Sequence, residues 1–215
     1  YKDQGEDEKA LEYFLKCLYI EKSVYGANHP CVASSYNNIG GVYGEQGEFD
    51  KSLEYFLKSL DIYKFIYGEN HSDIASAYNN IGQVYKNQGE DEKALEYYLK
   101  SQDIYKSVYG GDNHPRIALS SNNIGLLYES QEEYNKALEY YLKSLDISRS
   151  LYGGDNHRDI AASYYKIGTI YHNQEEYNKA LEYHLRALDI RKSLFQENHP
   201  EVALSYLKTG HAYYE

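Results

Sequence analysis

Apolar residues recur along the chain at spacings of three and four, the signature of a helix with one buried face. Val32, Tyr36, Ile39 and Tyr43 form one such stripe, which predicts a helix from about Pro30 to Glu45. Leu53, Phe56, Leu57, Leu60 and Ile66 form a second, within a helix from about Glu48 to Tyr67. No β-type alternation of useful length interrupts them, and the pair then repeats. Histidines of Asn-His pairs stand at His29, His71, His114, His157 and His199, at intervals of 42, 43, 43 and 42. A small-Leu-Glu-Tyr element starts at Ala10, Ser52, Ala94, Ala137 and Ala180, at intervals of 42, 42, 43 and 43. The extra residue of the longer periods sits in the turns 110–113 and 153–156, which marks those turns as surface connections. A helix pair with one apolar stripe per helix cannot bury that stripe alone, so successive pairs must stack. The chain therefore reads as all-α: a solenoid of antiparallel helix pairs, one repeat domain over residues 1–215 with five periods and no linker.

The punctuation agrees with the pattern. Pro30, Pro115 and Pro200 are the only prolines, and each follows an Asn-His pair. Proline suits the first helical turn, where its missing N–H costs nothing, and this sets the preceding His or Asn at or beside the N-cap. Gly5, Gly47 and Gly89 end the first helix of their periods, in the left-handed conformation that closes helices. Glu132 and Glu175 stand in that place later; the same backbone would cost Glu roughly 1 kcal/mol, so turns of different geometry are expected there. Acidic residues open the second helices (Glu48, Asp50; Glu90, Asp91, Glu92), where they meet the positive end of the helix dipole.

These residues resemble the tetratricopeptide repeat. Tyr36, Ile39, Gly40 and Tyr43 match its first-helix signature, and Ser52, Phe56 and Ser59 match the small-aromatic-small pattern of its second helix, as do Ala94, Tyr98 and Ser101. Small residues let neighbouring helices approach closely. The common repeat has about 34 residues and ends its second helix at a proline. Here Lys64 holds that place and the helix continues, a longer form similar to the repeats of kinesin light chains. The resemblance implies a right-handed superhelix and a binding role, without naming a ligand.

In such proteins the first helices line a concave groove. Counting from the helix glycine, Asn38, Asn80, Asn123, Lys166 and Lys208 stand two residues before it, and Asn37, Asn79, Asn122, Tyr165 and Leu207 three before. Gly41, Gln83, Leu126, Thr169 and His211 follow one after, and Gly44, Lys86, Glu129, His172 and Tyr214 four after, all on one helical face. The asparagine columns resemble the asparagine ladder of the O-linked N-acetylglucosamine transferase repeats, which implies capture of an extended peptide by its backbone. An amide carries two donors and an acceptor and can pair with any peptide bond. The amides of Asn38, Asn80 and Asn123 are expected to project unpaired into the groove. The alternative is that they bond neighbouring helix carbonyls or face water, although mid-helix Asn has a cost that needs a reason. Lys166 and Lys208, with His172 and His211 a turn further on, favour an acidic side chain or a C-terminal carboxylate. The alternative for each lysine is a solvated pair with a nearby Glu.

Composition narrows the partners. The 28 tyrosines supply core material despite a mean hydropathy of −0.75. A net charge of −11 argues against nucleic acid and anionic membrane as main partners. No apolar run approaches a membrane span, and two cysteines fit a reducing compartment, which together suggest a cytoplasmic protein. Asn70-His71-Ser72 matches a glycosylation acceptor, and we read it as chance. The five Asn-His histidines lie too far apart to share a metal, so a turn and capping role is expected; no metal or cofactor is expected. His184 is read as surface or partly packed. Cys17 stands at the small buried place of Ser59, Ser101, Ser144 and Ala187 and is expected to be a core thiol; Cys31 lies in a first helical turn. No catalytic constellation is present, so a non-catalytic interaction scaffold is expected. The alternatives are a recruiting array within a larger enzyme or signalling ATPase, and a self-associating rod. Tyr1 and Tyr213 hold the same place as Tyr43, so five whole periods lie between them. Unmatched end helices, with Leu11, Phe14 and Leu18 keeping the interior apolar stripe, lead us to expect head-to-tail association.

Overall fold

The computed structural model describes residues 4–215; Tyr1 and its place in the period lie outside them. Among the described residues ten helices follow one another: α1 (Gln4–Tyr25), α2 (Pro30–Glu45), α3 (Phe49–Tyr67), α4 (Ser72–Asn87), α5 (Asp91–Tyr109), α6 (Pro115–Ser130), α7 (Tyr134–Tyr152), α8 (Arg158–Asn173), α9 (Tyr177–Leu194) and α10 (Pro200–Tyr214). The even-numbered helices are the first helices of their periods, and the odd-numbered ones are the second. Gly5, expected to close a helix, instead lies inside α1. Two compact units are present, Tyr1–Gly110 and Gly111–Glu215. Within each, sequential helices pack against one another as antiparallel pairs.

Each first helix starts the same way. His29, His71, His114, His157 and His199 are the N-caps, and each Nδ1 accepts from the backbone N–H two residues on, at 3.2–3.3 Å. The ring closing the preceding helix stacks on the cap: Tyr25 on His29, Tyr67 on His71, Tyr152 on His157 and Phe195 on His199. The Asn before the cap ties the turn to the next second helix, as Asn70 Nδ2 donates to Ser107 Oγ at 2.8 Å. The histidines thus do the work of capping.

First helices close in a six-residue hydrogen-bonded loop. Glu48 N–H donates to Tyr43 O and Gly47 N–H to Gly44 O, with Gly47 at φ +76°. Glu132 and Glu175 make the same bonds at φ 59° and 61°. The different turns expected at these glutamates do not occur: the Schellman bonds hold an L-residue in the left-handed region.

The core lies between paired helices. Val32, Ile39, Phe56 and Leu60 are buried as expected, while Leu57 is exposed and Ile62 and Tyr63 take its share of the interior. Ser52 Oγ donates to Gly40 O at 2.7 Å, Phe56 packs on Gly40, and Tyr63 Oη lies 3.0 Å from Ser34 Oγ. This stripe of α3 faces the first helix before it. The matching stripe of α1 has no such helix among the described residues, and for that reason Cys17 is exposed rather than a core thiol. Leu18 is buried and Leu11 and Phe14 are half-buried, because they pack in the core with α2 and α3 residues.

Candidate functional site

A run of mid-helix polar residues needs partners, and the first-helix face shows where they are found. In the first unit Asn80 Nδ2, on α4, donates to Asn37 Oδ1, on α2, at 2.9 Å. Asn79 and Asn123 are engaged as well. The expectation of an unpaired amide therefore fails for Asn80; half-buried amides on α2 and α4 satisfy one another first. Asn38 is exposed. Since an amide offers three hydrogen-bonding groups, the bond fixes Asn37 and Asn80 while leaving each of them further capacity.

The second unit departs from this pattern. Asn122 on α6 has its Oδ1 buried without a partner. Lys166 on α8, which replaces Asn in the next period, lies over the Tyr141 ring at 5.2 Å instead. Tyr141 donates its hydroxyl to Glu129 Oε2 at 2.5 Å, so a carboxylate stands close to that lysine. Lys208 on α10 is half-buried and has no carboxylate within ion-pair distance among the described residues. Of the two lysines, only Lys208 stands as an unmatched positive charge.

Within each unit, a ring from the second helix of a pair stands behind this face. Phe56, Tyr98, Tyr141 and His184 press on Gly40, Gly82, Gly125 and Gly168. A Cβ at Gly125 would stand 2.6 Å from Tyr141, so the close approach requires glycine. Tyr98 reaches past its glycine to donate to Gln83 Oε1 at 3.0 Å, as Tyr141 does to Glu129. Burial, and for Tyr141 also the carboxylate, pushes both phenols up. His184 is therefore neither surface nor partly packed: it is fully buried, with neither ring nitrogen bonded. Burial above all, then Lys208, His172 and Arg191, lowers its imidazole to about 4. The signal was its register with Tyr98 and Tyr141, which outweighs the residue type.

Periodicity does not single out Arg191 either. It is buried on α9, donates to Ser205 Oγ at 2.7 Å and to Glu201 O at 3.2 Å, and lies over Tyr165 at 4.8 Å. Glu201 pairs with it and with Arg158. Buried charge survives in this way only when matched. Among the described residues no group of three His, Cys, Asp or Glu is placed to hold a metal ion, and no helix is long and apolar enough to cross a membrane.

Antiparallel pairs, a 42–43-residue period, and glycine–ring packing in each pair define an α-solenoid repeat protein. The tetratricopeptide repeat model matches residues 1–64, 32–107, 73–150, 116–192 and 159–215, and the chain belongs to that family. No curated protein matches it by sequence. Among solved structures it is similar to BtubC (BKLC) from P. vanneervenii, with 18% identity, TM-score 0.79, and coverage of 98% of this chain and 81% of that one. It is also similar to the nearly identical TPR-like repeats of a Podosopora anserina protein described as a kinesin light chain, with 16% identity, TM-score 0.71, and 90% of each chain covered. The apo form of RapI aligns with 21% identity and TM-score 0.78 over 98% of this chain and 55% of that one. These likenesses establish the fold.

Proposed function

We propose that the chain is a non-catalytic, cytoplasmic interaction scaffold whose first-helix faces capture an extended peptide. The Asn37–Asn80 bond carries this reading. It holds two amides of adjacent helices in fixed positions, so little side-chain entropy is lost when they bond a ligand. Asn38 stands exposed beside them. In this reading Asn37, Asn38, Asn79 and Asn80 hold peptide backbone in the first unit. Asn122, Asn123, Lys166 and Lys208 do so in the second, where Lys208 adds a preference for acidic residues.

A peptide-array screen compares wild type with the Asn38→Ala/Asn80→Ala double variant. The variant is expected to lose about 1–3 kcal/mol of binding with little change in melting. Equal binding by both proteins would remove the amides from the site.

A further inference from the structure

We propose that the cavity between α6, α7 and α8 over Ser148 is a binding site for a small single-ring phenol, which takes the place that a tyrosine fills in the two preceding periods. The site lies within the second unit, goes beyond peptide capture and does not depend on it.

The period shows what is missing there. Near the end of each second helix one position carries a long side chain: Glu21 on α1, Tyr63 on α3, Tyr105 on α5 and Arg191 on α9. Each of the four bonds a serine hydroxyl of a first helix, at Ser35, Ser34, Ser76 and Ser205, over 2.6–3.0 Å. On α7 the residue in this register is Ser148, a short side chain that is nonetheless buried. Leu119 stands where Ser34 and Ser76 stand, so both members of the tyrosine–serine pair are replaced. The volume of the absent ring is left as a cavity of about 270 Å³ lined by Ser148. Its walls include Leu119 and Tyr152, which hold the places of Ser34 and Tyr67 around Tyr63. Voids of this size are few in a packed chain, and this one falls where a ring is lacking.

The lining selects a ring that carries one donor. Ala118, Leu119 and Leu151 supply apolar surface, and Tyr152 supplies an aromatic one. Tyr63 and Tyr105 keep ring centroids 6.1 and 5.9 Å from Tyr67 and Tyr109, a spacing that a ligand ring can repeat against Tyr152. Asn122 also lines the cavity, and its Oδ1 is buried without a partner. A phenol hydroxyl supplies the donor this acceptor lacks, whereas a plain hydrocarbon leaves it orphaned. A guanidinium like that of Arg191 is less suited. Asp159 already accepts the Tyr152 hydroxyl at 3.0 Å, and its side chain is 56% exposed against 25% for the Glu201 that pairs with Arg191. An apolar cavity of about 150 Å³ is enough to admit benzene, so one substituted ring fits here. Leu119 is 48% exposed, which opens the cavity to solvent. The vacancy is that of one side chain without its backbone, which matches a free phenol.

The test titrates p-cresol, the tyrosine side chain freed of its backbone, into the 215-residue protein and follows methyl and side-chain amide signals by NMR. Saturable shifts are expected at Ala118, Leu119, Leu151 and the Asn122 amide. Toluene should bind about threefold to tenfold more weakly, for want of the donor. Ser148→Tyr, which restores the residue of the two preceding periods, should raise the melting temperature and abolish the shifts. Ser148→Leu, a smaller filling, should weaken p-cresol at least about tenfold. Shifts that are absent, that fall elsewhere, or that persist in Ser148→Tyr overturn the proposal. Toluene binding as tightly as p-cresol overturns the assignment to phenols. Tighter binding of propylguanidinium gives the cavity to a cation, and tighter binding of N-acetyltyrosine amide gives it to a side chain of a partner protein; either result overturns the small-phenol site. Should neither variant fold, the wild-type shift map and the toluene comparison decide alone.

Discussion

At Glu132 and Glu175 the backbone holds φ of 59° and 61°, where the equivalent Gly47 and Gly89 take +76°. The bonds that close the turn are the same in all four, so the strain of an L-residue is stored without visible compensation. Glu132→Gly and Glu175→Gly should each stabilise the protein by about 0.5–1 kcal/mol, the relief of left-handed strain less the added freedom of the unfolded chain. Thermal melting would show a rise of about 1–4 °C per substitution; a fall would mean that the carboxylates have a role the turn does not reveal. Residue chemistry was legible where it repeats. Proline and periodicity place the five histidines at helix starts, as caps. For His184 the imidazole suggests a surface, while its register places it among buried rings. Cys17 is the opposite case: its register is that of a buried residue, but the helix that buries this register elsewhere is not found before α1 among the described residues.

Helix limits were legible almost to the residue, from Pro30 to Glu45 and from Pro200 to Tyr214, because proline and the cap histidine act locally. What periodicity could not sort was which side of a second helix is buried, since α3 is apolar on more than one side and exposes Leu57 while burying Ile62. The contact that sets the pair is glycine against ring. Gly125→Ala would place a Cβ 2.6 Å from a Tyr141 that is fully buried and bonded to Glu129, so the ring has no room to yield. A loss of about 1–3 kcal/mol is expected on urea denaturation. Gly41→Ala, with nothing within 4 Å, should instead gain up to about 1 kcal/mol from helix propensity. Equal effects at the two positions would show that the glycine–ring contact does not set the helix approach.

Across the whole chain the period was the most legible feature, because two independent sets of residues carry it through every turn. The columns it defines were legible as columns, but their bonding was not: a sequence shows Asn37 and Asn80 in register and cannot show that they spend one bond on each other. Nor does it show that Lys166 lies against Tyr141 near Glu129 while Lys208 remains unmatched. Net charge adds a further condition, since an acidic peptide must approach an acidic protein and is held only where positive charge is concentrated. The claim that first-helix faces bind peptide is tested most directly by NMR of the side-chain amide groups during titration with an extended acidic peptide. The account predicts the largest shifts at the amides of Asn38 and Asn80 and at residues flanking Lys208, with the second-helix pairs Glu54–Lys58 and Glu96–Lys100 unmoved. Shifts confined to the second-helix surfaces, with those amides unchanged, would contradict it.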